Sequence, residues 1–219
     1  IFMPVWLKNL QPFIEADQFV VNTEYIGFSS HFSALEHNCV DFFIGYLDPR
    51  IEIRQDKNMF SLLLLGKESL VPVCSPDNNG KPRWWLPGKP VKPISCLHTF
   101  PDNSPWPIKF HMEKIYGDLT FKSVYETSTG TTLKAMAIEG FGMAWLPHTL
   151  VAKELEEGQL VRAAGRKDDI LVDIGIFRCL NYSEPRVTKF WQVLREQAKQ
   201  VAGDDRTSQE QGQEQGNAP

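Results

Sequence analysis

The hydrophobic positions alternate between two spacings along the chain. IFMPVWLKNLQPFI sets Val5, Leu7, Leu10 and Ile14 on a helical repeat, and FVVNTEYIG after it carries the branched and aromatic residues of a strand. SSHFSALEHN predicts a short helix capped by Ser29 or Ser30, and VDFFIGY is a dense apolar run of strand length. FSLLLLGKESLVPVCSP reads as two strand-like pieces interrupted by GKE. DNNGKPRWWLPGKPVKP, rich in Gly, Pro and Asn, reads as a loop, with a boundary near Pro72 to Pro76. PISCLHTF is a strand, IKFHMEKIYG a short helix closed by Gly117, and LTFKSVYET an alternating strand. Ser128 or Thr129 can cap the next helix, which carries Leu133, Met136 and Ala137 on one face and ends at Gly140.

FGMAWLP is then a short buried strand. Pro147 opens HTLVAKELEE, Gly158 stops it, and QLVRA and LVDIGIFRC are further strands. The closing helix, SEPRVTKFWQVLREQAKQV, bears Val187, Phe190, Trp191, Leu194 and Ala198 on one stripe. GDDRTSQEQGQEQGNAP has no apolar residue able to anchor it and is expected to be disordered. Alternation of helices and strands predicts an α/β fold with mainly parallel, buried sheets.

Composition narrows the function. A chain of 219 residues, 42% hydrophobic, can bury one large core or two smaller ones. With 23 basic and 27 acidic residues its net charge is −4, so the segment alone should not hold DNA well. Cys39, Cys74, Cys96 and Cys179 form no CxxC pair and read as reduced, mostly buried thiols of a cytoplasmic protein. The apolar run Leu62 to Leu65 stops at Gly66 and Lys67, too short to span a membrane, and no signal peptide is visible. His98, His111 and His148 are scattered, and the GTT at Gly130 to Thr132 lacks the lysine of a phosphate loop. No catalytic residues, metal ligands or cofactor are therefore assigned.

The stretch TTLKAMAIEGFGMAWLPHTLVAKELEEGQLVRA, Thr131 to Ala163, resembles the signature region of LysR-type effector domains: a helix, xGxGxAxLP, a helix, then xGxLV. LEHNCVDFFIGY resembles that family's "DxxI" strand entry, LVPVCSP its crossover strand, and FWQVLREQ its closing helix. The similarity runs from about Pro4 to Val201, in the family's order. EGFGMAWLP and VPVCSPD are similar to the hypochlorite-responsive members, whereas Trp84 to Trp106 is not.

This resemblance implies the two-lobed fold of type 2 periplasmic-binding proteins, with two crossover strands as the hinge and an effector held between the lobes. Residues 1–71 and 171–202 would form lobe I without its first strand, 72–170 lobe II, and 203–219 the disordered tail. It also implies a homodimer or homotetramer, and a winged helix-turn-helix upstream of Ile1 as the only DNA-binding part. The expected function is effector sensing by a transcriptional regulator. The alternative is a solute-binding protein of the same fold serving a transporter.

A cleft of this kind needs free N–H groups, hydroxyls and aromatic walls. Phe28, Ser29 and Ser30 precede one helix, His98, Thr99 and Phe100 follow the PISCL strand, and Ser128 and Thr129 open the signature helix. Tyr46 ends VDFFIGY at the same sheet edge. These residues are the candidate effector contacts, and the effector they suit is a small organic anion. Each serine or threonine can equally be a plain helix cap. Met112 is the candidate redox sensor, since oxidation turns its thioether into a polar sulfoxide, while Met136 and Met143 read as core.

Overall fold

A computed structural model describes residues 28–50, 58–90, 92–98, 107–127, 129–182 and 184–198, together with Trp6, Lys8, Val20 and Val21; for Phe28, Ser29 and Pro107 only the backbone is described. Of the helix and strand expected before residue 28, only Trp6 and Lys8, which are helical, and Val20 and Val21, which are not in a strand, are described; the rest, and the tail after residue 202, lie outside these residues. Helix α1 (Phe28–Glu36) is followed by β1 (Phe43–Leu47), β2 (Phe60–Cys74), a 3-10 turn (Leu86–Gly88) and β3 (Ile94–His98). Next come α2 (Pro107–Ile115), β4 (Phe121–Glu126), α3 (Gly130–Ile138), β5 (Ala144–Pro147) and α4 (His148–Glu156). The chain closes with β6 (Val161–Arg162), a second 3-10 turn (Arg166–Asp168), β7 (Ile170–Cys179) and a helix α5 over residues 185–198.

The backbone of the molecule is the pair β2 and β7. They run antiparallel from Phe60↔Cys179 to Leu70↔Ile170, with one irregularity between Leu64 and Gly66. At one end β7 also pairs with β1, and at the other β2 pairs with β5 and β6. Two corrections follow. GKE does not break the strand, because Gly66, Lys67 and Glu68 stay in register with Ile174, Asp173 and Val172. And the described pairings are not mainly parallel: only β3 with β4 is a parallel pair of strands, extended by a bridge from Cys96 to Met143. A chain that crosses to a second lobe and returns must lay its two crossing strands antiparallel, and these dominate the sheet.

Four buried clusters flank this pair. Phe32, Leu35, Phe43, Leu47, Phe177 and Cys179 gather under α1, and Ile176, Phe190, Trp191 and Leu194 under α5. At the other end Val71, Val73, Leu133, Leu146 and Val151 pack beneath α3 and α4, while Leu70, Ile94, Ile108, Met143 and Trp145 pack beneath α2. The α5 stripe is as expected, with Val187 buried too. Leu133 and Ala137 are buried on α3. β4, in contrast, shows no buried alternation beyond the half-buried Phe121, because it lies at the edge of its two-stranded sheet. Cys39 is exposed and Cys74, Cys96 and Cys179 are buried, all as free thiols. No helix among the described residues is long and apolar enough to cross a membrane.

Glycine earns its place in the signature stretch. Gly140 has φ +79°, the left-handed conformation that ends α3, and Gly158 at φ +73° does the same after α4.

Candidate functional site

Parallel pairing of β3 with β4 brings two of the expected loops together. His98 lies opposite Glu126 at the strand ends, and the Thr127 N–H donates to the His98 carbonyl at 3.0 Å. Thr129, two residues after Thr127, is exposed. Thr99, Phe100 and Ser128 lie outside the described residues.

Thr129 is the N-cap residue of α3 by position, with extended backbone, but its side chain makes no capping hydrogen bond. Of the two roles open to its hydroxyl, helix cap or ligand contact, the first is not taken; its backbone N–H donates to the Thr127 hydroxyl at 3.2 Å. Ser29 and Ser30 likewise do not precede a helix but fall inside the first turn of α1. Helix starts are set by where the backbone pairs, and a serine near the start need not be the residue that turns there.

Tyr46 stands near the end of β1, half-buried and packed against the cluster that contains Trp145. Burial first, then the charge of Glu68, pushes its phenol up to about 12. Glu68, which the sequence did not single out, occupies the middle of β2 and is 6% exposed. One of its oxygens accepts the Ser69 N–H at 2.8 Å, the other the Thr149 hydroxyl at 2.5 Å. Thr149 is in the first turn of α4, and Gly130, at the start of α3, approaches Leu150 so closely that an added Cβ would lie 3.2 Å from Leu150 Cδ2. Tyr46 thus lies within electrostatic reach of Glu68, Glu68 is bonded to Thr149, and the next residue, Leu150, touches the start of α3.

A second polar group lies on the α2 side. Asp48, with no exposed side-chain surface, accepts three hydrogen bonds from Arg50: its N–H at 2.9 Å, Nε at 2.8 Å and Nη2 at 2.6 Å. Burial opposes its charge, but those bonds and the guanidinium outweigh it and hold the carboxyl below the usual range. His111 of α2 is within electrostatic reach of Asp48, Arg50 and Asp168, and its ring lies 5.8 Å from Tyr116 and 6.2 Å from Trp145. His111 Nε2, Tyr116 OH, Trp145 Nε1 and Asp168 Oδ2 are buried without a protein partner. Met112, the next residue on α2, is half-buried against the same cluster. Among the described residues no group of three His, Cys, Asp or Glu side chains is placed to hold a metal.

The histidines of this region carry a pH dependence. Burial holds both His98 and His111 below their ordinary value of 6.5, with Arg50 adding to the effect on His111 and Glu126 opposing it on His98. The unfolded chain therefore binds protons that the folded chain resists, so stability should fall as pH drops below about 6.5 and level off once both have charged. Thermal melts between pH 7.5 and 5 should show this decline. It should be shallower in His111→Gln, and an unchanged slope there would assign the decline to other groups.

The LysR substrate binding domain model matches residues 26–199. The HTH domain-truncated transcriptional regulator QseD of Escherichia coli O157:H7 is 28% identical over 146 residues, covering 63% of this chain and 55% of that protein. The chain spans about half the length of the curated relatives it matches. The apo regulatory domain of HypT from Salmonella typhimurium superposes with a TM-score of 0.71 at 22% identity, covering 88% of each chain. Full-length HypT, described as a hypochlorite-specific LysR-type transcriptional regulator, gives 0.69 at 23% identity, over 87% of this chain and 62% of that one. At these identities the two structures speak to the fold alone, and the fold is the two-lobed one. With four-fifths of its length matched and its signature stretch in place, the chain belongs to the LysR substrate binding domain family.

Proposed function

We propose that this domain is the effector-sensing part of a LysR-type transcriptional regulator. A small molecule binds between the lobes, shifts their arrangement and so changes the geometry of a homo-oligomer whose DNA contacts come from a helix-turn-helix outside these residues. The observation that carries this reading is the link from Tyr46 through Glu68 and Thr149 to the start of α3. It supports a regulator rather than a transporter's binding protein because it lies within the matched family region, and the relative QseD is described as a transcriptional regulator.

In this reading residues 1–71 with 171–202 form lobe I and 72–170 lobe II; the core clusters change over a few residues to the lobe I side of those bounds, between Leu65 and Leu70 on β2 and between Val172 and Ile176 on β7. Tyr46, His98 and Thr129 line the cleft, joined by the Phe28–Ser30 turn, Thr99, Phe100 and Ser128. An anionic group of the effector would sit at the start of α3, where free N–H groups and the helix dipole favour it, and away from the Glu68 carboxylate.

A thermal-shift screen of small organic acids, amino acids and aromatic compounds against the chain identifies the effector, because a ligand of the folded state raises the apparent midpoint. Calorimetric titration of that compound then tests the site. Thr129→Val should leave stability within about 0.5 kcal/mol, as its side chain caps nothing. Thr129→Val and Tyr46→Phe should each weaken binding by roughly tenfold, the worth of about one well-placed hydrogen bond. Full affinity in both variants would move the site elsewhere.

A further inference from the structure

Asp48 poses a question that the effector site does not answer. A carboxylate with no exposed surface is costly to hold unless it is paired, and here every partner it has comes from Arg50, two residues on, across Pro49. Arg50 itself keeps 46% of its side chain exposed, so the pair adds little to stability. Its effect is geometric. The two side-chain hydrogen bonds and the one from the backbone fix the plane and direction of the guanidinium in a way a lysine could not reproduce.

What the fixed guanidinium faces is the ring of Phe110. Arg50 Cζ lies 5.5 Å from that ring's centroid, within the range of a cation–π contact. Phe110 belongs to α2, which packs on β7 and sends Ile108 into the cluster around Trp145. Lys114 of α2 also reaches the ring, with Nζ at 4.7 Å, but from the same helix. His111, the next residue after Phe110, feels the charges of both Asp48 and Arg50. Arg50 is therefore aimed, from the segment after β1, at a helix that packs on β7.

We infer that Asp48, Arg50 and Phe110 form a clasp between the lobes: Asp48 is the buried anchor, Arg50 the arm and the Phe110 ring the seat on α2. The inference rests on the lobe division proposed above. The clasp lies on the α2 side of the junction, and the Glu68–Thr149 bond forms a separate link on the α4 side. An effector that changes the lobe arrangement has to move Arg50 over the Phe110 ring or off it, which makes this contact a positioning element rather than a ligand contact.

The test needs no effector, so it can fail while the sensing role stands. Hydrogen–deuterium exchange is measured on the 219-residue chain as wild type, Arg50→Gln, Phe110→Leu, the double variant, Phe110→Tyr and Lys114→Gln. Amides of α2 should exchange several-fold faster in Arg50→Gln and in Phe110→Leu, with the double variant no faster than either single one. Phe110→Tyr, which keeps an aromatic seat, should restore protection, and Lys114→Gln should leave it unchanged. Should Arg50→Gln fold poorly, Phe110→Leu reads the same contact from its other side. Unchanged exchange in both single variants, or effects that multiply independently in the double variant, would overturn the clasp.

Discussion

Replacing Trp145 with alanine should lower the stability of the chain by about 3–5 kcal/mol, the usual cost of deleting a large buried aromatic side chain. Trp145 is 3% exposed within the xGxGxAxLP stretch, on β5 opposite Pro72. Its ring has three aromatic neighbours, His111 at 6.2 Å and Tyr116 and Phe121 at 6.3 Å. These come from α2, the turn after it and β4, so one deletion loosens three elements at once. Among the described residues no group accepts a hydrogen bond from the indole N–H, so Trp145→Phe should keep much of what alanine loses. Denaturant titration of the three proteins measures both. A loss under about 1 kcal/mol in the alanine variant would mean that the site collapses far more readily than cores of this kind do.

Gly142→Ala should be the second most damaging change, at about 1–3 kcal/mol, for a reason that the residue's smallness in sequence only hints at. A Cβ added there would sit 2.9 Å from the Ser95 carbonyl oxygen and 3.1 Å from Leu97 Cγ. The oxygen belongs to the backbone of β3, so no rotamer change relieves the contact. β3 would have to move away, straining the bonds from the Met143 N–H to the Ser95 carbonyl at 2.9 Å and from the Leu97 N–H to the Met143 carbonyl at 2.8 Å. Two other glycines serve as controls in the same titration. Gly158 has open space around it but φ +73°, so Gly158→Ala should cost only the strain of a left-handed alanine, about 1 kcal/mol. Gly66 has neither a close neighbour nor a positive φ, and Gly66→Ala should fall within about 0.5 kcal/mol of the wild type. A ranking other than Gly142, Gly158, Gly66 would contradict the packing described for β3.

Local pattern carried most of the elements. The 3.6-residue stripe of Val187, Phe190, Trp191 and Leu194 marked α5, and the left-handed glycines Gly140 and Gly158 marked the ends of α3 and α4, because caps and amphipathic faces are written within a few residues of one another. The xGxGxAxLP stretch pointed to the family for the same reason: Gly140, Gly142 and Trp145 each answer a close approach or a buried neighbour that this fold imposes. Candidate ligand residues were less legible. Thr129 stands at the start of α3 as expected, yet its hydroxyl caps nothing, since a place at a helix start does not fix the side-chain rotamer that capping requires.

Two features belonged to the tertiary structure alone. GKE looked like an interruption because Gly and two charged residues are poor strand formers, but pairing with β7 resumes at Gly66, after one irregularity past Leu64, and runs on to Leu70, overriding that propensity. Glu68 and Asp48 gave no signal as buried groups, since an acidic residue reads as solvent-facing until something distant covers it. Thr149, 81 positions away, meets Glu68 only because β5 pairs with β2 and delivers the start of α4 beside it. Arg50 meets Phe110 only because α2 packs against β7. Within the sequence lay most of the elements, written in short-range periodicity, and the family, marked by the resemblance of its motifs. The contacts that Glu68 makes with Thr149 and Arg50 with Phe110 were decided by long-range pairing, which no local spacing encodes.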